Sequence, residues 1–320
     1  MNELRIIDLI RETFASQKAD LLDDVSFIKK GRGFFVLKTD MLVKSTDIPR
    51  GMTLRQASRK AVVASLSDML CKGADLWGFM VSFGIPRRLA TVGNVTLLST
   101  GLRDASIQYE VPILGGDVNE ADDLVIDVAV AGYARRMVRR DGAKVGDRLV
   151  ATGPFGLTAL GLRHLLGGEP LPSSLAAASL SSVYQPSPKK GLCKLLIDAG
   201  VVNASMDSSD GLAITLNEMS KQSGREMVMT SLPAEPAFLR ACSSAGCDSL
   251  DLVLHGGEEY EAVLAVPEAK LPTAISLAAR AGAKLYPFGA VRRGKARVLY
   301  SPPGRSPATE IPADGWVHLR

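Results

Sequence analysis

Six acidic groups in this chain lie at the edges of apolar runs or inside them. Asp23-Asp24 precedes Val25-Ser26-Phe27-Ile28, Thr39-Asp40 falls within Phe34–Val43, and Ser67-Asp68 comes late in an apolar helical stretch. Gly115-Gly116-Asp117 follows Val111–Leu114, Asp207-Ser208-Ser209-Asp210-Gly211 follows Val201–Met206, and Gly256-Gly257-Glu258-Glu259 precedes Tyr260–Val266. A lone charge beside a core is costly, and two carboxylates about 4 Å apart repel by roughly 4 kcal/mol at an effective dielectric near 20. If several converge, a cation must sit among them. Oxygen donors without Cys or His favour magnesium or calcium over zinc, and magnesium held by carboxylates points to a polyphosphate substrate.

Taken singly, most of these groups have a plainer reading. Asp207 or Ser209 suits the cap of a helix starting near Asp210, Gly-Gly-Asp is a common turn, and Asp68 on a helix suits a pair with Arg55 or Arg59. Thr39-Asp40 is harder to explain that way, because Asp is depleted in strands. The whole set tips the reading toward metal. Ala151-Thr152-Gly153-Pro154-Phe155-Gly156, between a predicted strand and helix, is a place where backbone N–H groups meet phosphate, but it lacks the Lys-Ser/Thr ending of a P-loop. No protein-kinase catalytic set is present either.

The elements that must position these groups alternate. Helical spacing runs over residues 3–16, Gly33–Val43 reads as a strand, and Thr53 with Gln56 forms a capping box for a helix toward Lys72. Val111–Leu114 and Leu124–Ala131 read as strands. Past the basic segment Arg135–Asp147, helices are predicted near 156–166, 188–199, 210–223, 234–245 and 267–282. Strands are predicted near 147–152, 201–206, 259–266 and 284–291, with a loop from Pro302 to Pro312. At 320 residues the chain is long enough for two cores. The expected fold class is therefore mixed α/β in two domains, residues 1–137 and 138–320.

Composition excludes several classes. A hydrophobic content of 46% with 22% charged residues is that of a globular protein, and a net charge of +4 with 5% aromatics argues against a dedicated nucleic-acid binder. Cys71, Cys193, Cys242 and Cys247 show no zinc spacing and read as small core residues of a reduced protein. Neither a signal-peptide core nor an apolar run of about 18 residues is present, which predicts a cytoplasmic protein with no membrane partner.

The order of the motifs resembles the thiamine-monophosphate kinase family, in the superfamily of aminoimidazole ribonucleotide synthetase and selenophosphate synthetase. Leu22-Asp23-Asp24-Val25 is similar to Gly-Asp-Asp-Ala/Cys, and Lys38-Thr39-Asp40 to Ser-Thr-Asp. Ser65 through Gly73 is similar to Asn-Leu-Ser-Asp-Leu-Ala-Ala-Met-Gly, and Leu114–Asp117 to Ile-Gly-Gly-Asp. Arg140–Asp147 follows Arg-Ser-Gly-Ala-Lys-Pro-Gly-Asp, Asp207–Leu212 follows Asp-Leu-Ser-Asp-Gly-Leu, and Gly256–Glu261 follows Gly-Gly-Glu-Asp-Tyr-Glu. Leu22, Lys38 and Ser65 depart from the pattern, and Asp47 stands where many members have a substrate-contacting histidine.

The resemblance implies ATP-dependent phosphorylation of thiamine monophosphate to thiamine pyrophosphate by in-line transfer, with Mg2+ and no covalent intermediate. It implies a metal group of Asp24, Thr39, Asp40, Asp68, Asp117, Asp207 and Asp210, with Lys38 beside them. ATP contacts would come from Tyr109, Gly116, Asp117, Arg140 and Ser209, and substrate contacts from Asp47, Glu258 and Trp316. It further implies a homodimer whose N-terminal sheets pair across subunits, and a C-terminal domain covering the nucleotide cleft. The alternatives are another ATP-dependent member of the superfamily and a non-catalytic nucleotide-binding regulator. The latter would bind ATP without producing ADP.

Overall fold

The structure is a computed structural model and describes residues 3–14, 23–304 and 307–315. After helix α1 (Glu3–Phe14), the first half builds a five-stranded sheet from β1 (Ser26–Lys30), β2 (Gly33–Val43), β3 (Asp75–Ile85), β4 (Ile113–Glu120) and β5 (Val125–Ala134). Their spatial order is β1-β2-β5-β3-β4, antiparallel except for the β3–β4 pair. That parallel pair needs a crossover, which α4 (Val92–Tyr109) supplies. A short α2 (Lys44–Asp47) and the long α3 (Leu54–Cys71) complete this half.

Alternation along β2 and β5 decides the faces of this sheet. Val36, Val128, Val130 and Ile126 point inward and pack with Leu66, Met69 and Ala105 from α3 and α4. The two helices come very close at Gly101, where a Cβ would lie 2.0 Å from the Arg55 carbonyl oxygen. Among the described residues, the core helices α3 and α4 pack on the first face and leave side chains exposed on the opposite one. Leu37, Met41, Trp77 and Met80 are exposed there, with the Trp77 ring stacked on Tyr133 and tilted against Phe35.

The second half forms a seven-stranded sheet of β6 (Asp147–Ala151), β7 (Ala204–Ser208), β8 (Glu226–Met229), β9 (Glu261–Pro267), β10 (Tyr286–Arg292), β11 (Arg297–Tyr300) and β12 (Thr309–Glu310). Their order is β12-β11-β8-β10-β6-β9-β7. Around it run α5 (Leu157–Gly167), α6 (Ser173–Tyr184), α7 (Leu192–Asp198), α8 (Leu212–Ser223), α9 (Pro236–Ala245), α10 (Ser249–His255) and α11 (Leu271–Arg280). The central strands β6 and β9 are buried on both faces, which accounts for the apolar runs over residues 149–151 and 262–266, and the edge strand β7 is also buried.

Several expectations from sequence need correction. Gly115-Gly116-Asp117 does not end a strand but lies inside β4, which runs on to Glu120. α4 escaped notice because its β-branched residues, with Gly93 and Gly101, lower helix propensity. Packing against α3 overrides that. β3 was hidden by Gly78 and Gly84, and α8 begins at Leu212 with no side-chain cap, so neither Asp207 nor Ser209 caps it.

The capping box at α3 is present: the Thr53 hydroxyl accepts from the Gln56 N–H at 3.2 Å, and the Gln56 side chain accepts from the Thr53 N–H at 2.9 Å. Thr53→Ala is expected to lower stability by about 1 kcal/mol, read as a shift of the urea midpoint. An unchanged midpoint would show that packing alone holds the helix start.

Candidate active site

Lys60, Ala64 and Asp68 of α3 and its C-cap residue Lys72 follow one another four residues apart, a single stripe on one side of the helix. Asp68, on that stripe, meets Asp24 from the turn before β1 and Asp207 from β7. The three are buried, and each offers an oxygen within 4.8 Å of the others. The Ser67 hydroxyl donates to Asp207 Oδ2 at 3.1 Å. Residues from both sheets thus converge at one point.

Cations surround this group on two sides. Lys72 is fully buried, with its Nζ 2.6 Å from Asp23 Oδ1 and 2.7 Å from Asp24 Oδ2, and it also donates to the Ser205 carbonyl oxygen. Arg140 donates to Asp24 and lies 3.7 Å from Asp23. On the other side Lys38 Nζ stands 2.6 Å from Asp68 Oδ2 and 3.0 Å from Asp40 Oδ1. Asp68 therefore pairs with Lys38, not with the arginines suggested by helical neighbourhood. Arg55 pairs with Asp104, and Arg59 reaches Gln108 and the Pro186 carbonyl oxygen.

The compensation is uneven. Burial, then the neighbouring Asp68 and Asp24, push Asp207 well above the usual carboxylate range. Burial likewise raises Asp24 against the pull of Lys72 and Arg140, and takes Asp40 up to about 7 despite Lys38. Burial also acts on Asp23, but Lys72 outweighs it and holds that carboxyl low. Burial opposes the charge of Lys38, yet Asp68 and Asp40 keep its ammonium well above the ordinary lysine value. Ionising all of these carboxyls together would need more positive charge than the fixed cations supply.

Beside this group opens a cavity of about 950 Å³, lined from the first half by Lys38, Asp40, Asp47, Lys60 and Asp68 and from the second by Ser209, Asp210, Glu258 and Tyr260. Glu258 and Tyr260 adopt left-handed backbone conformations (φ 63° and 52°). The Glu258 N–H donates to the Ser209 carbonyl oxygen at 2.6 Å, tying the two acidic loops together. The Glu258 carboxylate pairs with Lys60, and its Oε2 is buried without a partner. Such strain and unmet bonding capacity belong to sites kept for a ligand.

Residues 22–134 match the family described as AIR synthase related protein, N-terminal domain, and residues 144–300 match its C-terminal domain. A thiamine-monophosphate kinase of Nitrosopumilus maritimus is 34% identical over 325 residues, covering 100% of this chain and 99% of the relative. The chain belongs to the thiamine-monophosphate kinase family. The crystal structure of thiamine monophosphate kinase from Aquifex aeolicus is 25% identical with a TM-score of 0.79, covering 93% of this chain and 97% of that one. A structure of AaThiL complexed with AMPPCP and TMP shares the fold with a TM-score of 0.83 at 24% identity, over 99% of this chain and 97% of that one.

Against the family pattern, the chain brings some expected residues together and keeps others apart. Asp24, Asp40, Asp68 and Asp207 converge, and Asp210, Ser209 and Glu258 line the adjoining cavity. Lys38 joins them as a counter-ion, since an ammonium has three donors and no lone pair to give a metal. Thr39 faces the other side of β2, where its hydroxyl donates to Asp127 at 2.8 Å. Gly116 and Asp117 sit on edge strand β4, three strand spacings from β2 or about 14 Å. Tyr109 is in the core, its hydroxyl donating to the Pro188 carbonyl oxygen, and Arg140 is engaged with Asp24. Asp47 lines the cavity, but its carboxylate accepts from the Val43 N–H at 2.6 Å. Leu22 and Trp316 lie outside the described residues, although Gly315 reaches the cavity wall.

Lys60 and Lys72 were missed as site residues by sequence reasoning, and Asp23 was noted only as the neighbour of Asp24. The detectable signal was the charged residues Lys60, Asp68 and Lys72, spaced by multiples of four, along a largely buried helix and its cap. The glycine loop 151–156 is also resolved, because Glu259 fills the start of α5 and accepts from the Gly156 N–H at 2.6 Å and the Thr158 hydroxyl at 2.8 Å. A carboxylate already occupies the place where a phosphate would meet this helix.

Burial raises Glu259 to about 7 from an ordinary 4.5. Its folded form therefore binds the proton more tightly than its unfolded form, and the associated stability falls as pH rises from 4.5 to about 7. Glu259→Gln does not titrate, so its stability relative to the parent should rise by about 1–3 kcal/mol across that window. Melting temperatures of both proteins at pH 5 and pH 8 check this, and a constant difference would contradict it.

Proposed function

We propose that the cavity between the two sheets is the place of phosphoryl transfer, with the buried carboxylates on its floor as a magnesium site. The reaction is ATP-dependent phosphorylation of thiamine monophosphate to thiamine pyrophosphate, with ATP as co-substrate. The observation that carries this is the full-length match to a thiamine-monophosphate kinase, with the paired acidic loops of that family meeting at one cavity.

The residues fit magnesium. Asp24, Asp68 and Asp207 offer hard oxygen donors within 4.8 Å of one another, with no thiol or imidazole among them. Burial first, then the neighbouring carboxyls, raise Asp207 and Asp24, so that a cation among them would favour their ionised forms. Asp40 and Asp210 stand on the cavity side for a shared role. Magnesium bound there supplies charge neutralisation and alignment of phosphate oxygens.

The chain's own residues do the remaining work. A phosphate monoester is already anionic at neutral pH, so no strong general base is required, which suits a cavity lined with Asp and with His255 as its sole histidine among the described residues. Ser209 and Asp210 suit the nucleotide side. Glu258, braced by Lys60 and with one oxygen unmet, suits the polar groups of thiamine monophosphate. The segment near residue 137 suits a boundary between two domains, since the first sheet ends at Ala134 and the second begins at Asp147.

A second copy of the chain is the proposed cover for the open face of the first sheet. Trp77 is 53% exposed and Met41 61%, on a face too apolar to be left in water. The register places Asp127, Ser82 and Asp117 in one row on this face, beside Thr39. The expected ligands that one chain keeps away from the cluster thus lie where the second copy would dock.

Incubation with ATP, magnesium and thiamine monophosphate should yield thiamine pyrophosphate on chromatography, with none when EDTA is added or free thiamine replaces the substrate. Asp207→Asn should reduce turnover by about a hundredfold or more. ATP binding without product would favour the regulator instead. Light scattering is expected to give twice the chain mass, falling to the monomer for Trp77→Glu; a monomeric parent would refute the dimer.

A further inference from the structure

The cation beside Asp40 and Asp68 belongs to the protein itself. Lys38 Nζ lies 2.6 Å from Asp68 and 3.0 Å from Asp40, and all three side chains line the cavity. Lys72 and Arg140 approach the same cluster from behind, through Asp23 and Asp24, and Lys72 is fully buried. Lys38 is thus the member of the three that faces the cavity. The motif that this segment otherwise follows has a serine at this position.

We propose that Lys38 is a tethered cation that takes the place of one metal ion, so that this chain holds one divalent ion at the cluster where a serine at position 38 would allow two. The inference deepens the magnesium reading above and names how this chain meets its charge requirement. Asp23, Asp24, Asp40, Asp68 and Asp207 make five carboxylates, and Lys38, Lys72 and Arg140 make three fixed cations. With every one of these carboxyls ionised, as metal binding requires, two negative charges remain, the charge of one divalent ion; Asp210 lies on the cavity wall outside this group. Removing Lys38 leaves three and opens the space between Asp40 and Asp68. An ammonium at hydrogen-bond distance from both carboxylates occupies that space, and its like charge repels a metal from the same oxygens. The ammonium also places the chain's own positive charge at the wall of a cavity proposed to receive phosphates.

The test counts ions on the nucleotide-free, full-length protein, using Mn2+ as the probe and the loss of the free-ion EPR signal as the readout. The parent is expected to bind one Mn2+ per chain at the cluster, Lys38→Ser two, and Lys38→Arg one. If Lys38→Ser does not fold, Lys38→Gln replaces it, with two ions expected again. Equal counts for the parent and the neutral variant would overturn the proposal, because Lys38 would then swing away to admit the metal. Two ions on the parent, or a second ion on Lys38→Arg, would overturn it as well. Neither ATP nor thiamine monophosphate enters this measurement. A protein that makes no thiamine pyrophosphate yet shows the one-to-two change would therefore refute the kinase reading and leave the tethered cation standing.

Discussion

Three carboxylates that cannot stay ionised together without a cation govern the construction of this molecule. Asp24, Asp68 and Asp207 come from the turn before β1, from α3 and from β7, so the cluster joins the two sheets at one point. Burial makes their mutual repulsion matter, because the effective dielectric falls as water is excluded. Every nearby feature answers that demand. Lys72 and Arg140 compensate from the interior, Lys38 from the cavity, and Ser67 supplies a donor to Asp207.

The same demand links stability to function. Protein cations alone do not keep every carboxyl readily ionised: burial, with the neighbouring carboxyls, raises Asp207 and takes Asp40 to about 7. A site balanced completely by its own lysines would have no affinity for metal, and one with no lysines would be costly to fold before metal arrived. The arrangement lies between these limits. Such an arrangement suits the proposed magnesium site, which would have to persist before metal is bound and still attract a divalent ion.

The second sheet contributes through backbone as much as through charge. Gly211 (φ 111°) opens α8 without a side-chain cap, leaving Asp207 free to turn toward the cluster. Glu258 and Tyr260 carry positive φ, and that conformation holds Glu258 over the cavity with its N–H on Ser209. Glu259, one residue along, points the opposite way to meet the N–H of Gly156 at the head of α5. Adjacent glutamates thus have unlike surroundings: Glu258 lines the cavity, and Glu259 holds a helix.

Residue types alone determined a good deal. Asp is disfavoured inside strands and buried helices, so Asp40, Asp68 and Asp207 stood out, and their oxygen-only chemistry pointed to magnesium and phosphate. Local rules also placed β2, α3 with its capping box, and most elements of the second half, because alternation and capping are short-range signals. Tertiary structure alone decided the rest. Lys60, Lys72 and Lys38 become counter-ions only when strands distant in sequence bring carboxylates to them. Thr39 and Asp117 are turned away from the cluster by the pleat and strand order of the first sheet, which motif spacing does not encode. Whether a carboxylate in a glycine-rich motif meets a ligand, a lysine or a helix end depends on which long-range partner arrives first at its oxygens, and that is a property of packing.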